Sequence, residues 1–169
     1  MRGLLIGRFQ PFHKGHFEVI KEIASQVDKL IIGIGSAQES HTFEDPFTAG
    51  ERHLMISESL NQAGIDNYYL IPIVDIHRYS VWVAHVKSLV PPFDAIYTNN
   101  DLTARLFKEA GVEVRRPALY DRDKYSGHSV REIMAQEGDW KSLVPEGTIR
   151  VMEEIDGARR VKELAGEVQ

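Results

Sequence analysis

Arg8, His13, Lys14 and His16 crowd into one short stretch, Gly7-Arg8-Phe9-Gln10-Pro11-Phe12-His13-Lys14-Gly15-His16. A guanidinium, an ammonium and two imidazoles so close together are cations and hydrogen-bond donors suited to oxyanions, and above all to a run of phosphates. They do not form a nucleophile set. The chain has no cysteine, and neither a Ser-His-Asp ordering nor a Gly-x-Ser-x-Gly elbow accompanies them. No Gly-x-x-x-x-Gly-Lys-Ser/Thr loop occurs, which disfavours a P-loop kinase. The chemistry indicated is a polyphosphate cradle.

The flanking sequence supplies the elements to hold such a cradle. Leu4-Leu5-Ile6 ends at Gly7 and reads as a strand buried on both faces. Pro11 and Gly15 punctuate a loop, and Phe17, Ile20, Ile23, Ala24 and Val27 then recur at helical spacing. A helix N-terminus beside the cations adds free N–H groups and a favourable dipole. Lys29 to Gly35 is a second buried strand, and Ser36 follows at its carboxyl end, where open α/β sheets place ligands. Glu39 to Phe47 is polar and irregular and reads as a mobile loop.

Thr48 with Glu51 forms a capping box for a helix to about Ala63, with Gly64 at its C′ position. Strands are expected at Tyr68–Val74, Phe93–Tyr97 and Val112–Val114, separated by a helix holding Trp82 and Val86 and another ending at Gly111. Such alternation specifies βαβ units and a mostly parallel sheet. Beyond Arg115 a polar loop carries Arg122 and Lys124, and a helix opens near Ser126–Glu132. Ser129 with Glu132 fits a capping box there, and Ser126 competes as N-cap. Trp140 to about Ala165 reads as a helical cover for the sheet, broken at Pro145 and Gly157.

The 169 residues fit one domain, residues 1–115 as the α/β core and 116–169 as the later helices. A net charge of −5 argues against a nucleic-acid surface. Without cysteine there is no disulfide framework and no thiolate metal site. The N-terminal apolar stretch is too short for a signal peptide or a membrane span, so a cytoplasmic location is expected. His41 with Glu39 and Asp45 matches no ligand spacing, and no metal site is assigned to the chain.

The Gly7–His16 decapeptide resembles the His-x-Gly-His signature of the nucleotidyltransferase α/β-phosphodiesterase superfamily. Ser126 to Arg131 is similar to its second signature, Ser-x-x-x-x-Arg, which opens a late helix. Gly35-Ser36-Ala37-Gln38, Asp45 to Arg52, Trp82, Pro91-Pro92-Phe93-Asp94, Tyr125-Ser126-Gly127 and Gly138-Asp139-Trp140 narrow the resemblance to the archaeal nicotinamide-nucleotide adenylyltransferases. The resemblance implies a Rossmann-like, doubly wound, five-stranded fold with helices on both faces. It implies transfer of the adenylyl group of ATP to nicotinamide mononucleotide, giving NAD and pyrophosphate, with Mg²⁺, in a homo-oligomer that is commonly a hexamer.

By the same resemblance, Arg8, His13, His16 and Arg131 hold the ATP phosphates and carry catalysis. Gly7, Phe9, Gln10, Ser126 and Gly127 complete the ATP site. Ser36, Ile76, Tyr79 and Trp82 form the acceptor site, with Trp82 stacked on the nicotinamide ring. Four positions depart from the pattern. Tyr79 stands where asparagine is expected, Glu44 where some relatives have arginine, His128 where threonine is usual, and Asn99-Asn100 where a Gly-Asn pair is usual. Because a hydroxyl cannot reproduce an amide's paired donor and acceptor, other acceptors stay open: nicotinate mononucleotide, or a flavin, pantetheine or glycerol phosphate. A non-catalytic sensor of ATP or NAD is the reading from another class.

Overall fold

Leu30 to Ile34 are all buried, as a strand covered on both faces must be. Side chains alternate across a strand, so Leu30, Ile32 and Ile34 enter one core while Ile31 enters a second on the opposite face. The computed structural model describes residues 1–167. Its single sheet comprises β1 (Arg2–Gly7), β2 (Lys29–Ile34), β3 (Tyr68–Pro72), β4 (Ala95–Tyr97) and β5 (Glu113–Arg115). All neighbours are parallel, in the order β3-β2-β1-β4-β5, with Arg2 opposite Lys29 and Gly3 opposite Ala95. The expected doubly wound α/β fold is the one observed.

Helices α1 (Lys14–Ala24), α2 (Ala49–Gln62), α3 (Trp82–Leu89) and α4 (Asp101–Glu109) make the crossovers, and α5 (Gly127–Ala135), α6 (Glu146–Ile155) and α7 (Gly157–Glu167) follow. The chain leaves β1 toward β2 on one side and reaches β4 on the other. That reversal opens a crevice beyond the carboxyl ends of β1 and β4. Gly7 and Thr98 lie there.

Three strands are shorter than expected, β3 and β2 at their ends and β4 at its start, for identifiable reasons. Ile73 leaves the strand, although its N–H still donates to the Ile34 carbonyl at 2.8 Å, because its own carbonyl turns to accept from Ala37 at 3.0 Å. Asp94 stays outside β4 because its backbone and carboxylate both bond Arg2. Strand β2 stops at Ile34 before Gly35, whose N–H bonds the Gly7 carbonyl at 2.8 Å.

The C-terminal helices do more than cover the sheet. α6 packs on α2 so closely that a Cβ on Gly147 would lie 2.4 Å from the Ser59 nitrogen. From there buried Thr148 donates to the Phe12 carbonyl at 2.8 Å. Arg160 of α7 forks onto Glu51 at 2.7 and 2.9 Å and donates to the Pro46 carbonyl at 3.0 Å. Both contacts brace loops that border the crevice. Among the described residues, no helix is long and apolar enough to cross a membrane.

Candidate functional site

His13 is the N-cap of α1, and its ring does the capping. His13 Nδ1 accepts from the His16 N–H at 3.3 Å, and His16 Nδ1 accepts from the His13 N–H at 3.2 Å. This is a capping box written in histidine instead of Ser and Glu. The two rings stack at a centroid distance of 3.6 Å, with Phe12 stacked against His16 and Phe9 edge-on to it. An Nδ1 that accepts from the backbone requires the ring proton on Nε2, so each neutral imidazole presents an Nε2–H donor.

Burial enforces that neutrality. It lowers His13 from 6.5 to about 4, and it lowers His16 well below its ordinary value, with repulsion from His13 adding to the shift. The expectation of a four-cation cluster is therefore corrected: the histidines are fixed donors. Lys14 is exposed and points to a separate groove beside Phe17 and Pro145, away from the crevice.

A depressed histidine pKa means that between about pH 4 and 6.5 the unfolded chain binds a proton that the native state does not. Stability then rises with pH across that window and is lost as pH falls through it. His13→Asn keeps an N-cap acceptor but removes one titrating group. The slope of unfolding free energy against pH between 4.5 and 6 should fall by up to ~1.4 kcal/mol per pH unit. Urea unfolding across that range measures it, and an unchanged slope would show that His13 titrates normally in the native state.

The second signature meets the first at a helix N-terminus. Ser126, and not Ser129, caps α5, accepting from the Ser129 N–H at 3.1 Å, while Glu132 pairs with His128 instead. The two helix starts touch. A Cβ on Gly15 would sit 2.9 Å from both the His13 ring and Tyr125, and one on Gly127 would sit 2.8 Å from Arg131. A side chain at Gly15 would have to displace the His13 ring and Tyr125, and one at Gly127 would push the Arg131 guanidinium from its place. Arg131 is buried; it donates to the Gln10 carbonyl at 2.8 Å and to Glu44 at 3.2 Å, and its guanidinium lies over the Phe43 ring. Arg8 is gripped by Asp45, with two contacts of 2.6 Å and one of 3.0 Å.

Three cavities converge on these residues. The largest, about 570 Å³, is walled by β1, the starts of α1 and α5, and the 117–125 loop, including His13, His16, Asn99 and Tyr120. The second, about 440 Å³, contains Arg8, Ser36, Asp75, Tyr79 and Trp82. They share Ile6, Gly7, Thr98 and Asn100 at the crevice. A third, about 200 Å³, adjoins both: it shares Phe9, His16 and Gly127 with the first and Arg8 with the second, and adds Gln10, Glu44, His128 and Arg131.

Most of the residues singled out from sequence meet here, with changed duties for some. Gln10 is buried and its amide is consumed by Phe47, donating to its carbonyl at 3.0 Å and accepting from its N–H at 2.9 Å. It is a clamp for the 39–47 loop, which is accordingly anchored along its second half. Phe9 is buried, with φ of 54°, and packs against Gly7. Trp82 lines the second cavity and also packs edge-on against Phe107 at 5.8 Å, so it serves core and cavity together. Tyr79 is exposed at that cavity's wall. Ile76 is partly buried but lies outside the residues lining either large cavity, a correction to its expected place.

Asp75 lines the site without having been singled out, and Asn100, noted in the sequence only as part of the Asn99-Asn100 pair, lines both large cavities. Asn100 caps α4, accepting from the Thr103 N–H at 2.9 Å; its place in a cap-rich turn after a strand was the available signal. Asp75 is set by tertiary contact: Gln38 bonds both its backbone N–H and its carbonyl, at 3.0 and 2.9 Å.

A family described as cytidylyltransferase-like matches residues 4–133 of the chain. A nicotinamide-nucleotide adenylyltransferase of Picrophilus torridus is 53% identical over 165 residues, covering 98% of each chain. Another, of Archaeoglobus fulgidus, is 52% identical over 171 residues, again covering 98% of each. Among solved structures, a bifunctional NMN adenylyltransferase/ADP ribose pyrophosphatase from Francisella tularensis, complexed with AMP and a Mn ion, aligns with a TM-score of 0.78 at 23% identity. The alignment covers 98% of this chain and 52% of that one, so the chain spans about half the length of the bifunctional protein, and the likeness is one of fold. With two histidine donors, two arginines and two large cavities meeting at β1, the chain belongs to the cytidylyltransferase-like nucleotidyltransferases and, within them, to the nicotinamide-nucleotide adenylyltransferase family.

Proposed function

We propose that the protein joins ATP and nicotinamide mononucleotide to give NAD and pyrophosphate. The observation that carries this reading is the meeting of two nucleotide-sized cavities at Gly7, with the small basic cavity between Arg8 and Arg131 opening onto both. The larger cavity takes the adenosine, the small one the β- and γ-phosphates, and the second the acceptor. Arg8 is the only cation lining that second cavity and Asp75 the only carboxylate, among the described residues. A mononucleotide with a phosphate at one end and a cationic ring at the other suits that polarity, and Trp82 offers the ring a face to stack on.

The acceptor's phosphate oxygen attacks the α-phosphorus in line, and the bond to the pyrophosphate oxygen breaks. Such a transfer needs positioning and charge stabilisation more than covalent help from the protein. The Nε2–H groups of His13 and His16 donate to the phosphate oxygens as charge builds, and the N-termini of α1 and α5 add their dipoles. Arg8 and Arg131 balance the charge of the reacting and leaving phosphates.

A divalent cation fits as a passenger on the triphosphate. Among the described residues, no group of three or more His, Asp or Glu side chains is disposed to hold a metal ion, and Mg²⁺ bound largely through substrate phosphates needs no such cage. When bound, it would neutralise the leaving pyrophosphate. The test is pyrophosphate release from ATP and Mg²⁺ with nicotinamide mononucleotide, nicotinate mononucleotide, flavin, pantetheine and glycerol phosphates as acceptors, each product identified by mass. NAD should form fastest, with nicotinate mononucleotide slower because its ring carboxylate faces Asp75. A faster product from any other acceptor, or ATP binding without turnover, would overturn the reading.

A further inference from the structure

Arg131 has most of its guanidinium buried among fixed groups. One donor serves the backbone carbonyl of Gln10 at 2.8 Å, the Phe43 ring covers its face, and Nε is buried without a partner among the described residues. The remaining contact is to Glu44 at 3.2 Å, and that partner is different in kind. Its side chain is 65% exposed against 7% for Arg131. Of the groups touching Arg131, Glu44 is thus the one that a ligand from solvent can replace. It stands on the wall of the small cavity, facing Arg8, His16, His128 and Arg131. A carboxylate oxygen and a phosphate oxygen make the same kind of contact with a guanidinium.

We infer that Glu44 is an internal anion that competes with the nucleotide's β- and γ-phosphates for Arg131, and so sets the protein's affinity for polyphosphate relative to monophosphate. The inference rests on the assignment of the small cavity to those phosphates. Binding of a polyphosphate is then an exchange, in which Glu44 swings out to solvent as the ligand arrives. After adenylyl transfer the exchange runs backwards: Glu44 re-forms its contact with Arg131 and opposes retention of pyrophosphate. A ligand with no group in the small cavity, such as AMP, neither displaces Glu44 nor feels its charge at contact distance. Asp45, the next residue, is not equivalent. Its carboxylate is nearly buried and clamps Arg8 through three short contacts, which fixes the loop.

The experiment is calorimetric titration of wild type, Glu44→Gln and Glu44→Ala with pyrophosphate, ATP and AMP. Glu44 is exposed, so both variants should fold. Each should bind pyrophosphate and ATP about two- to fivefold more tightly than wild type, the scale of one partly exposed charge contact, with AMP affinity unchanged. In turnover, pyrophosphate should become a correspondingly stronger product inhibitor. Weaker or unchanged pyrophosphate binding by both variants would overturn the inference, since Glu44 would then be a brace for Arg131. Equal tightening for AMP would overturn it too, by showing a general effect of the loop. Wild type that binds neither ATP nor pyrophosphate would defeat the cavity assignment as well; wild type that binds both, with variants unchanged, defeats this inference alone.

Discussion

His16→Ala should lower the rate of adenylyl transfer roughly 10²–10³-fold, the usual consequence of deleting one preorganised donor from a site where charge develops. Its Nε2–H is locked in direction by the Nδ1 contact to the His13 N–H, by stacking on His13 and Phe12, and by the edge of Phe9. No energy of reorganisation is needed when the transition state forms. The same substitution removes half of a capping box, at about 1 kcal/mol of stability, so activity loss and unfolding must be separated. His16→Glu does this. Glutamate is the ordinary capping-box residue at the third helical position, so stability should return toward wild type while activity stays low, because a carboxylate now faces the phosphates. Steady-state rates and urea midpoints on the three proteins decide it. A folded His16→Ala protein within about threefold of wild-type rate would remove His16 from the catalytic set.

Arg52→Met should cost about 3–5 kcal/mol, the sum of penalties of about 1–3 kcal/mol for each buried or half-buried carbonyl that loses its donor, or roughly 6–20 °C in melting temperature for a chain of this size. Arg52 is completely buried, and its hydrogen bonds go to backbone carbonyls: Thr48, Arg8, Gly35, Ser36 and Glu39, at 2.8 to 3.3 Å. One guanidinium thereby ties α2 to the phosphate loop, to the end of β2 and to the start of the 39–47 loop. Methionine fills the volume but takes the guanidinium from the Arg8, Gly35 and Glu39 carbonyls, the Gly35 bond being fully buried. The Thr48 and Ser36 carbonyls keep the backbone N–H donors of residues 52 and 39. Arg52→Lys should recover only part of the loss, because a single ammonium has three donors and cannot span the planar fork. Denaturant unfolding of both variants tests this, and a loss under 1 kcal/mol for Arg52→Met would mean that water replaces the guanidinium at little cost.

Arg52 also marks where reading the chain in one dimension reached its limit. The Thr48–Glu51 capping box was legible because a cap depends on residues three apart, and both of its bonds are present, at 2.9 and 3.1 Å. Arg52, one position later, looks like an ordinary helix-surface cation; its carbonyl partners lie 4 to 44 residues away. The capping box expected at Ser129 and Glu132 lost to Ser126 because the turn preceding α5 must bring Gly127 against the Gln10 carbonyl. Local spacing could not choose between the two serines.

What the amino-acid sequence determined by itself was periodic or contiguous: the alternation of buried strands and amphipathic helices, the glycines that bound strands and end helices, and the two signatures that open α1 and α5. Those follow from backbone geometry and from burial within a few residues. The tertiary structure alone decided which groups carry charge and where they point. Burial beneath Phe9 and Phe12 makes neutral donors of two histidines that in isolation would titrate near 6.5. The reversal of strand order beside β1 brings Arg131 to Gln10 and Glu44, 121 and 87 residues away in sequence. Protonation and ion pairing depend on the dielectric and on neighbours in space, and neither is set until the sheet has closed around the site.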